Sequence, residues 1–314
     1  MCVVVFYSSD DTKSIESSVT EYRIEHGRQY HAYKDGTYWQ PNDDRQNDNL
    51  DISHHKFLLA LGGSLLLAPV EKNIQRVLDI GTGTGIWAID FADEFPNTQV
   101  IGTDLSPIQP NMVPENCEFL IDDCRDDWTY PPDHFDLIHI RSLFGSIQDW
   151  PALYKQVYKH LKPGGYIEQV EISINIRSDD GTVGTDSPLV IFRELFEQAG
   201  DLTGCTFQIS ESMKPMIAAS GFENVTETVI KTPIGGWAAD PKLRELGRWA
   251  LLGFDIGLEG YAMATLTRWT PTEVHVLLAQ VRHAARDRRV HCYHDVKVVY
   301  AQKPFPSKHP SAPL

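Results

Sequence analysis

Cysteine and methionine are scarce, at five each in 314 residues. Cys2, Cys117, Cys124, Cys205 and Cys292 are odd in number and show no C-x-x-C spacing, so they read as reduced, intracellular thiols and not as a disulfide framework. Cations are few as well: 28 Lys and Arg face 43 Asp and Glu, a formal net charge of −15, which argues against a broad nucleic-acid surface. The basic group Arg282, Arg286, Arg288 and Arg289 reads as a solvated helix end. No H-x-x-x-H or carboxylate cluster has metal-site spacing, so no metal is expected. Long apolar runs are missing too. Phe57–Val70 is uncharged over fourteen residues, but it holds Gly62-Gly63 and Pro69, is short of a membrane span, and reads as a buried helix leading into the first strand. Cys2–Tyr7 is too short for a secretory leader and has no basic flank. What remains is a soluble chain, 42% hydrophobic and 10% aromatic, able to bury a sizeable core.

What is present is concentrated in Val-Leu-Asp-Ile-Gly-Thr-Gly-Thr-Gly at 77–85. Val77, Leu78 and Ile80 suit a buried parallel strand, and Gly81, Gly83 and Gly85 let the backbone turn and approach a ligand closely. Ile86–Phe95 predicts a short helix ended by Pro96 and Asn97. A second strand, Gln99–Thr103, leads to Asp104, a carboxylate placed to accept ribose hydroxyls. The unit is a nucleoside-cofactor site. The dinucleotide pattern G-x-G-x-x-G fails at Ile86, which holds the third glycine's place, and Asp79 would repel a pyrophosphate but suit an amino acid's ammonium. An NAD-linked oxidoreductase is therefore disfavoured.

The segment resembles class I S-adenosylmethionine methyltransferases. That resemblance implies a Rossmann-like α/β fold, with a mostly parallel seven-stranded sheet and helices on both faces. It also implies that Asp79, Gly81, Gly83 and Gly85 face the methionine end of the cofactor, while Asp104 and Leu105 meet the ribose. A third strand, Cys117–Ile121, ends in Asp122-Asp123-Cys124. By the same resemblance Asp123 contacts the adenine amino group and Cys124 the ring, with Asp122 the near alternative. Phe135–Arg141 is a fourth strand. Asp149-Trp150-Pro151 starts a helix with Leu153, Val157 and Leu161 on one face; L-K-P-G-G at 161–165 ends it, and Tyr166–Val170 is the fifth strand.

Flanking segments carry the expected specificity. Residues 1–20 read as a mobile terminus, and 21–76 as a helical, aromatic segment (Tyr30, Tyr33, Tyr38, Trp39) able to fold over the site or simply staple to the core. The cofactor core spans 77–230, with a sixth strand from Glu223 to about Ile230. Residues 231–289 form a helical insertion, one helix starting at Asp240-Pro241 and another at the capping box Thr270-Pro271-Thr272-Glu273. The last core strand lies in 290–304, running Tyr293–Ala301, and 305–314 is a tail. The insertion is expected to wall an acceptor pocket, with Trp237 among its aromatics.

Taken together, Y-H-x-Y-x-x-G-x-Y, D-I-G-T-G-T-G-I-W-A-I-D, H-I-R-S-L-F-G-S-I-Q-D-W, G-G-Y-I-E-Q-V-E and C-Y-H-D-V-K-V-V-Y-A-Q-K-P resemble the fungal LaeA-like methyltransferases over roughly 21–304. The resemblance implies methyl transfer from S-adenosyl-L-methionine, yielding S-adenosyl-L-homocysteine, in fungal secondary metabolism. The lack of a long extra N-terminal region and of a basic nuclear-localisation run favours an enzyme acting on a small-molecule intermediate. The alternative is a regulator of secondary-metabolite gene clusters, working through protein partners or protein methylation. The expected compartment is the cytoplasm, with the nucleus as alternative, and neither nucleic acid nor membrane is an expected partner. A general base is needed only for a hydroxyl or protonated amine acceptor. Its candidates are His139, Glu171 and His54. Arg141 is the candidate for the cofactor carboxylate, or its backbone for the amino group; Tyr38, Glu168 and Trp237 are substrate candidates.

Overall fold

Short β-branched runs bounded by turns dictate the sheet. In the computed structural model, which describes residues 3–4, 22–265 and 269–306, the strands are β1 (Val3–Val4), β2 (Arg23–Glu25), β3 (Arg28–Tyr30), β4 (Arg76–Ile80), β5 (Gln99–Asp104), β6 (Cys117–Ile121), β7 (Phe135–Arg141), β8 (Leu161–Ile172), β9 (Glu223–Pro233) and β10 (Tyr293–Gln302). The main sheet runs β1-β6-β5-β4-β7-β8-β10-β9. Strands β4 to β8 are parallel, whereas β10 is antiparallel to both β8 and β9. The seven expected strands are β4–β10; the eighth is the two-residue β1, antiparallel to β6. The rest of the expected mobile terminus lies outside the described residues. Strand order reverses between β5 and β7, on either side of β4, so Ile80, Asp104 and Arg141 end at one switch point, where open α/β sheets bind ligands.

The helices are α1 (Asp44–Ala60), α2 (Ile86–Glu94), α3 (Trp150–His160), α4 (Pro188–Thr203), α5 (Ile209–Ala219), α6 (Pro241–Thr265) and α7 (Pro271–Arg286). Trp87, Ala88, Phe91 and Ala92 of α2 pack on Val77, Val100 and Leu137, and each large side chain so buried stabilises the layer by roughly 2–3 kcal/mol. The opposite, larger core joins β7 and β8 to α3, α4, α5 and α7. Helix α7 has the expected capping box: Thr270 accepts from the Glu273 amide, and Glu273 accepts from the Thr270 amide.

Two expectations need correction. The helix expected within Phe57–Val70 lies earlier, because Asp43 caps α1 at the Gln46 amide while Gly62 and Gly63, at φ 69° and 93°, stop it. Helix α4 was not expected, although Ser187 caps it, Pro188 opens it and Gly204 closes it in the left-handed conformation. The apolar positions of α7 are the expected ones, with Val274, Leu277, Leu278, Val281 and Ala285 all buried.

Candidate active site

The loop after β4 turns back on itself at Gly81, at φ 67°, where a Cβ would lie 2.5 Å from Leu143 Cδ2. Only glycine fits there. Beside this loop is a cleft lined by Gly81, Gly83, Asp104, Leu105, Asp122, Asp123, Cys124 and Arg141. Eight positions read from scattered motifs, the near alternative Asp122 among them, thus meet in one hollow. Gly85 does not line it; it starts α2 and packs against Phe119, whose Cζ would be 2.3 Å from an added Cβ. Thr37, Tyr38 and Gln40 of the N-terminal segment also line the cleft, and Lys34 ties that segment to Asp123 at 2.9 Å and Asp126 at 2.6 Å.

Asp104 accepts the amides of Gly83 (2.8 Å) and Ser106 (3.0 Å), yet burial pushes its carboxyl up to about 6. Asp123 behaves in the opposite way. Lys34 and Arg125 overcome its burial and hold its carboxyl far below the usual range. Its oxygens are therefore already engaged, whereas the neighbouring Asp122 accepts the Asp123 amide at 3.0 Å. Burial raises the Tyr38 phenol, which stays protonated.

The His139 and Arg141 side chains leave β7 on one face but end differently. His139 is 1% exposed, stacks on Trp87 with centroids 3.7 Å apart, and bonds Asp79 through Nδ1 at 2.7 Å. Burial lowers its pKa, keeping it neutral, and it is not among the residues lining the cleft, so the structure corrects its candidacy as a base. Asp79 sits behind the cleft as well, since its second oxygen accepts from Thr82 at 2.6 Å. Arg141 reaches beyond the helix layer into the cleft, where its Nη1 donates to His54 Nδ1 at 3.1 Å and its guanidinium lies 5.1 Å from the Phe57 ring. It has no carboxylate ion pair among the described residues, and burial lowers its pKa to about 10. His54 donates through Nε2 to Asp90 at 2.9 Å. Burial and Arg141 push it down to about 4, so it is a neutral strut for Arg141 and not a base.

Three further candidates stand elsewhere. Glu168 is fully buried and accepts the Leu67 and Ala68 amides at 2.8 and 2.6 Å, anchoring the turn that follows α1. Glu171, also fully buried, supports the 142–144 loop by accepting the Leu143 amide at 3.1 Å; burial raises it to about 8, which makes it a neutral acid at pH 7. Trp237 donates to the Cys292 carbonyl at 3.0 Å and lines a separate hollow.

A second cleft is walled by Trp39, Phe144, Phe192, Phe196, Phe254 and Tyr261. The helical insertion expected to wall an acceptor pocket supplies Phe254 and Tyr261, and sequence reasoning missed the wall that α4 adds through Phe192 and Phe196. Ser53, Phe144, Ile172 and Tyr261 line both clefts, so the two adjoin. A usable signal existed in Gly253, Gly257 and Gly260, spaced at helical intervals. Gly257 leaves so little room that a Cβ would meet Asn49 Nδ2 at 2.6 Å, and this lets α6 press against α1.

A methyltransferase-domain family model matches residues 53–227. The chain is 41% identical to the methyltransferase pytC of Aspergillus terreus over 93% of this chain and 91% of that protein. It is 39% identical to the secondary metabolism regulator LAE1 of Cochliobolus heterostrophus over 90% of this chain and 94% of that protein. The methyltransferase in a solved complex with the Haloferax volcanii Trm112 activator shares the fold, with TM-score 0.50 and 15% identity over 84% of this chain and 96% of that one. The chain belongs to the LaeA-like family of fungal, S-adenosylmethionine-dependent class I methyltransferases.

Proposed function

We propose that this methyltransferase acts on a small natural-product intermediate of fungal secondary metabolism, held in the aromatic cleft. The observation that carries the reading is the junction of the two clefts. The hollow at the switch point, edged by Asp104, Asp122, Asp123 and Arg141, shares Ser53, Phe144, Ile172 and Tyr261 with a chamber walled by aromatic side chains. The residues present fit the cofactor: Asp104 for the ribose hydroxyls, Leu105 against the same unit, Asp122 or Asp123 with the Cys124 amide for adenine, and Arg141, held by His54 and bound to no carboxylate among the described residues, for the carboxylate. Asp79 acts one layer back, holding the glycine loop through Thr82. Bound S-adenosylmethionine supplies a methyl group already activated on sulfur. The chain's own contribution is alignment and dryness, with Tyr38 and Gln40 as a roof and the helical insertion as a wall. No residue need act as a metal ligand. The cytoplasm is the matching compartment.

A second reading, a regulator that methylates protein and works in the nucleus through partners, is favoured by the similarity to LAE1. Methyl-labelled S-adenosylmethionine, incubated with the chain and an extract of its host, separates the two. Label in the organic-extractable fraction, lost with Asp104→Ala, supports the small-molecule reading. Label confined to protein overturns it.

A further inference from the structure

We infer that the aromatic cleft selects an acceptor bearing an acidic hydroxyl, a phenol or enol, and that Lys56, backed by His294, takes the proton of that hydroxyl. The inference rests on reading the cleft as the acceptor site. Its walls are largely apolar, and its ionisable lining groups are Lys56, Arg193, Tyr261 and His294, with no carboxylate among them. Arg193 is compensated by Glu194 at 3.2 Å and Glu197 at 3.7 Å. Lys56 is not: it is 6% exposed and has no hydrogen bond or ion pair among the described residues, with the Phe57 ring 4.8 Å from its Nζ. His294, 8% exposed, leaves its buried Nε2 without a partner. Two unpaired nitrogen bases in one apolar chamber are costly unless a ligand satisfies them.

Position and charge agree with that role. Ser53, one turn before Lys56 on α1, lines both clefts, so Lys56 stands beside the opening toward the cofactor. Burial, with Arg141 adding repulsion, brings the Lys56 ammonium down to about 7, which leaves a free amine available near neutral pH. His294 is likewise lowered, to about 3, and is neutral. In the step proposed, the acceptor O–H bond breaks, its proton joins the Nζ lone pair, and the electron pair stays on oxygen. An oxyanion and an ammonium result, paired inside the apolar chamber.

The test uses 2-naphthol and its methyl ether, 2-methoxynaphthalene, titrated into the full chain saturated with S-adenosylhomocysteine, with affinity read by fluorescence and ground-state ionisation by absorbance alone. The expected result is that 2-naphthol binds at least about tenfold tighter than the ether and shows the naphtholate spectrum. Lys56→Met, close to lysine in shape and free of a buried charge, should abolish both the preference and the naphtholate signal while still binding S-adenosylhomocysteine. His294→Gln should weaken the preference in part. Equal affinity for both probes in the wild type, or a preference unchanged in Lys56→Met, overturns the assignment of Lys56 while leaving the acceptor cleft intact. Failure of both probes to bind overturns the reading of the cleft itself.

Discussion

The two clefts are built in opposite ways. The cofactor-type cleft is lined largely by the ends of consecutive sheet elements, from Gly81 to Arg141, where each functional group sits at the last residue of a strand or within three residues after it. The aromatic cleft draws its lining from the N-terminal segment, α1, the end of β8 and the loop after it, α4, α6 and β10. In the first, single side chains act and the scaffold stands without them. In the second, the side chains that shape the cavity also hold the layers together, so function and stability cannot be separated there.

Trp39→Ala breaks this comparison most severely. Trp39 packs on Phe144, Phe196, Phe207 and Tyr261 and donates to the Phe144 carbonyl, so its loss should cost about 3–5 kcal/mol of stability in denaturant unfolding. Cofactor affinity, where the variant is folded, should hold. Asp104→Ala should do the reverse, weakening S-adenosylmethionine binding by about 2–3 kcal/mol, roughly a hundredfold in calorimetry, with little change in unfolding. The sign of its pH dependence follows from burial. With its carboxyl raised to about 6 from the usual 3.8, Asp104 is a neutral acid below that pH and cannot accept both ribose hydroxyls. Wild-type cofactor affinity should therefore fall as pH is lowered through about 6, and a flat profile from pH 5 to 8 contradicts this. Without a cofactor, the same raised value favours folding at low pH, and that contribution is lost as pH rises through about 6.

Arg141→Met should weaken S-adenosylmethionine binding by about tenfold, and His54→Phe, which removes only the strut, by about threefold. An equal effect of the two variants would place His54 in direct contact with the cofactor. Smallest of all, Trp237→Phe should change cofactor affinity by less than about twofold and stability by about 1 kcal/mol, the worth of its bond to Cys292.

The same division explains what was legible in the sequence. Glycines and acids at strand ends carry their role locally, so Gly81, Gly83, Asp104 and Asp123 could be placed from spacing and family resemblance before any contact was known. Faces of strands are local too, but depth is not. Period two puts His139 and Arg141 on the same face, yet only the position of α2 decides that one is sealed under Trp87 while the other lines the cleft. Glu168 and Glu171 have the composition of catalytic acids, but they support backbone amides distant in sequence, 101 and 100 residues from Glu168 and 28 from Glu171, whose proximity only the folded loops create. The aromatic segment that holds Trp39 is readable in sequence but not the layer it packs on, Lys56 carries no motif at all, and the cleft they line exists only once α6 has been laid across α1. The missed helix α4 is a different case, since its cap, opening proline and closing glycine were all local and readable.

The most direct test of the account is the crystal structure of the chain with S-adenosylhomocysteine. The account predicts ribose hydroxyls on Asp104, the homocysteine carboxylate on Arg141, and the sulfur facing the opening between Phe144 and Tyr261. A homocysteine arm turned away from that opening, or a cofactor bound outside the Gly81–Asp104 cleft, would contradict it.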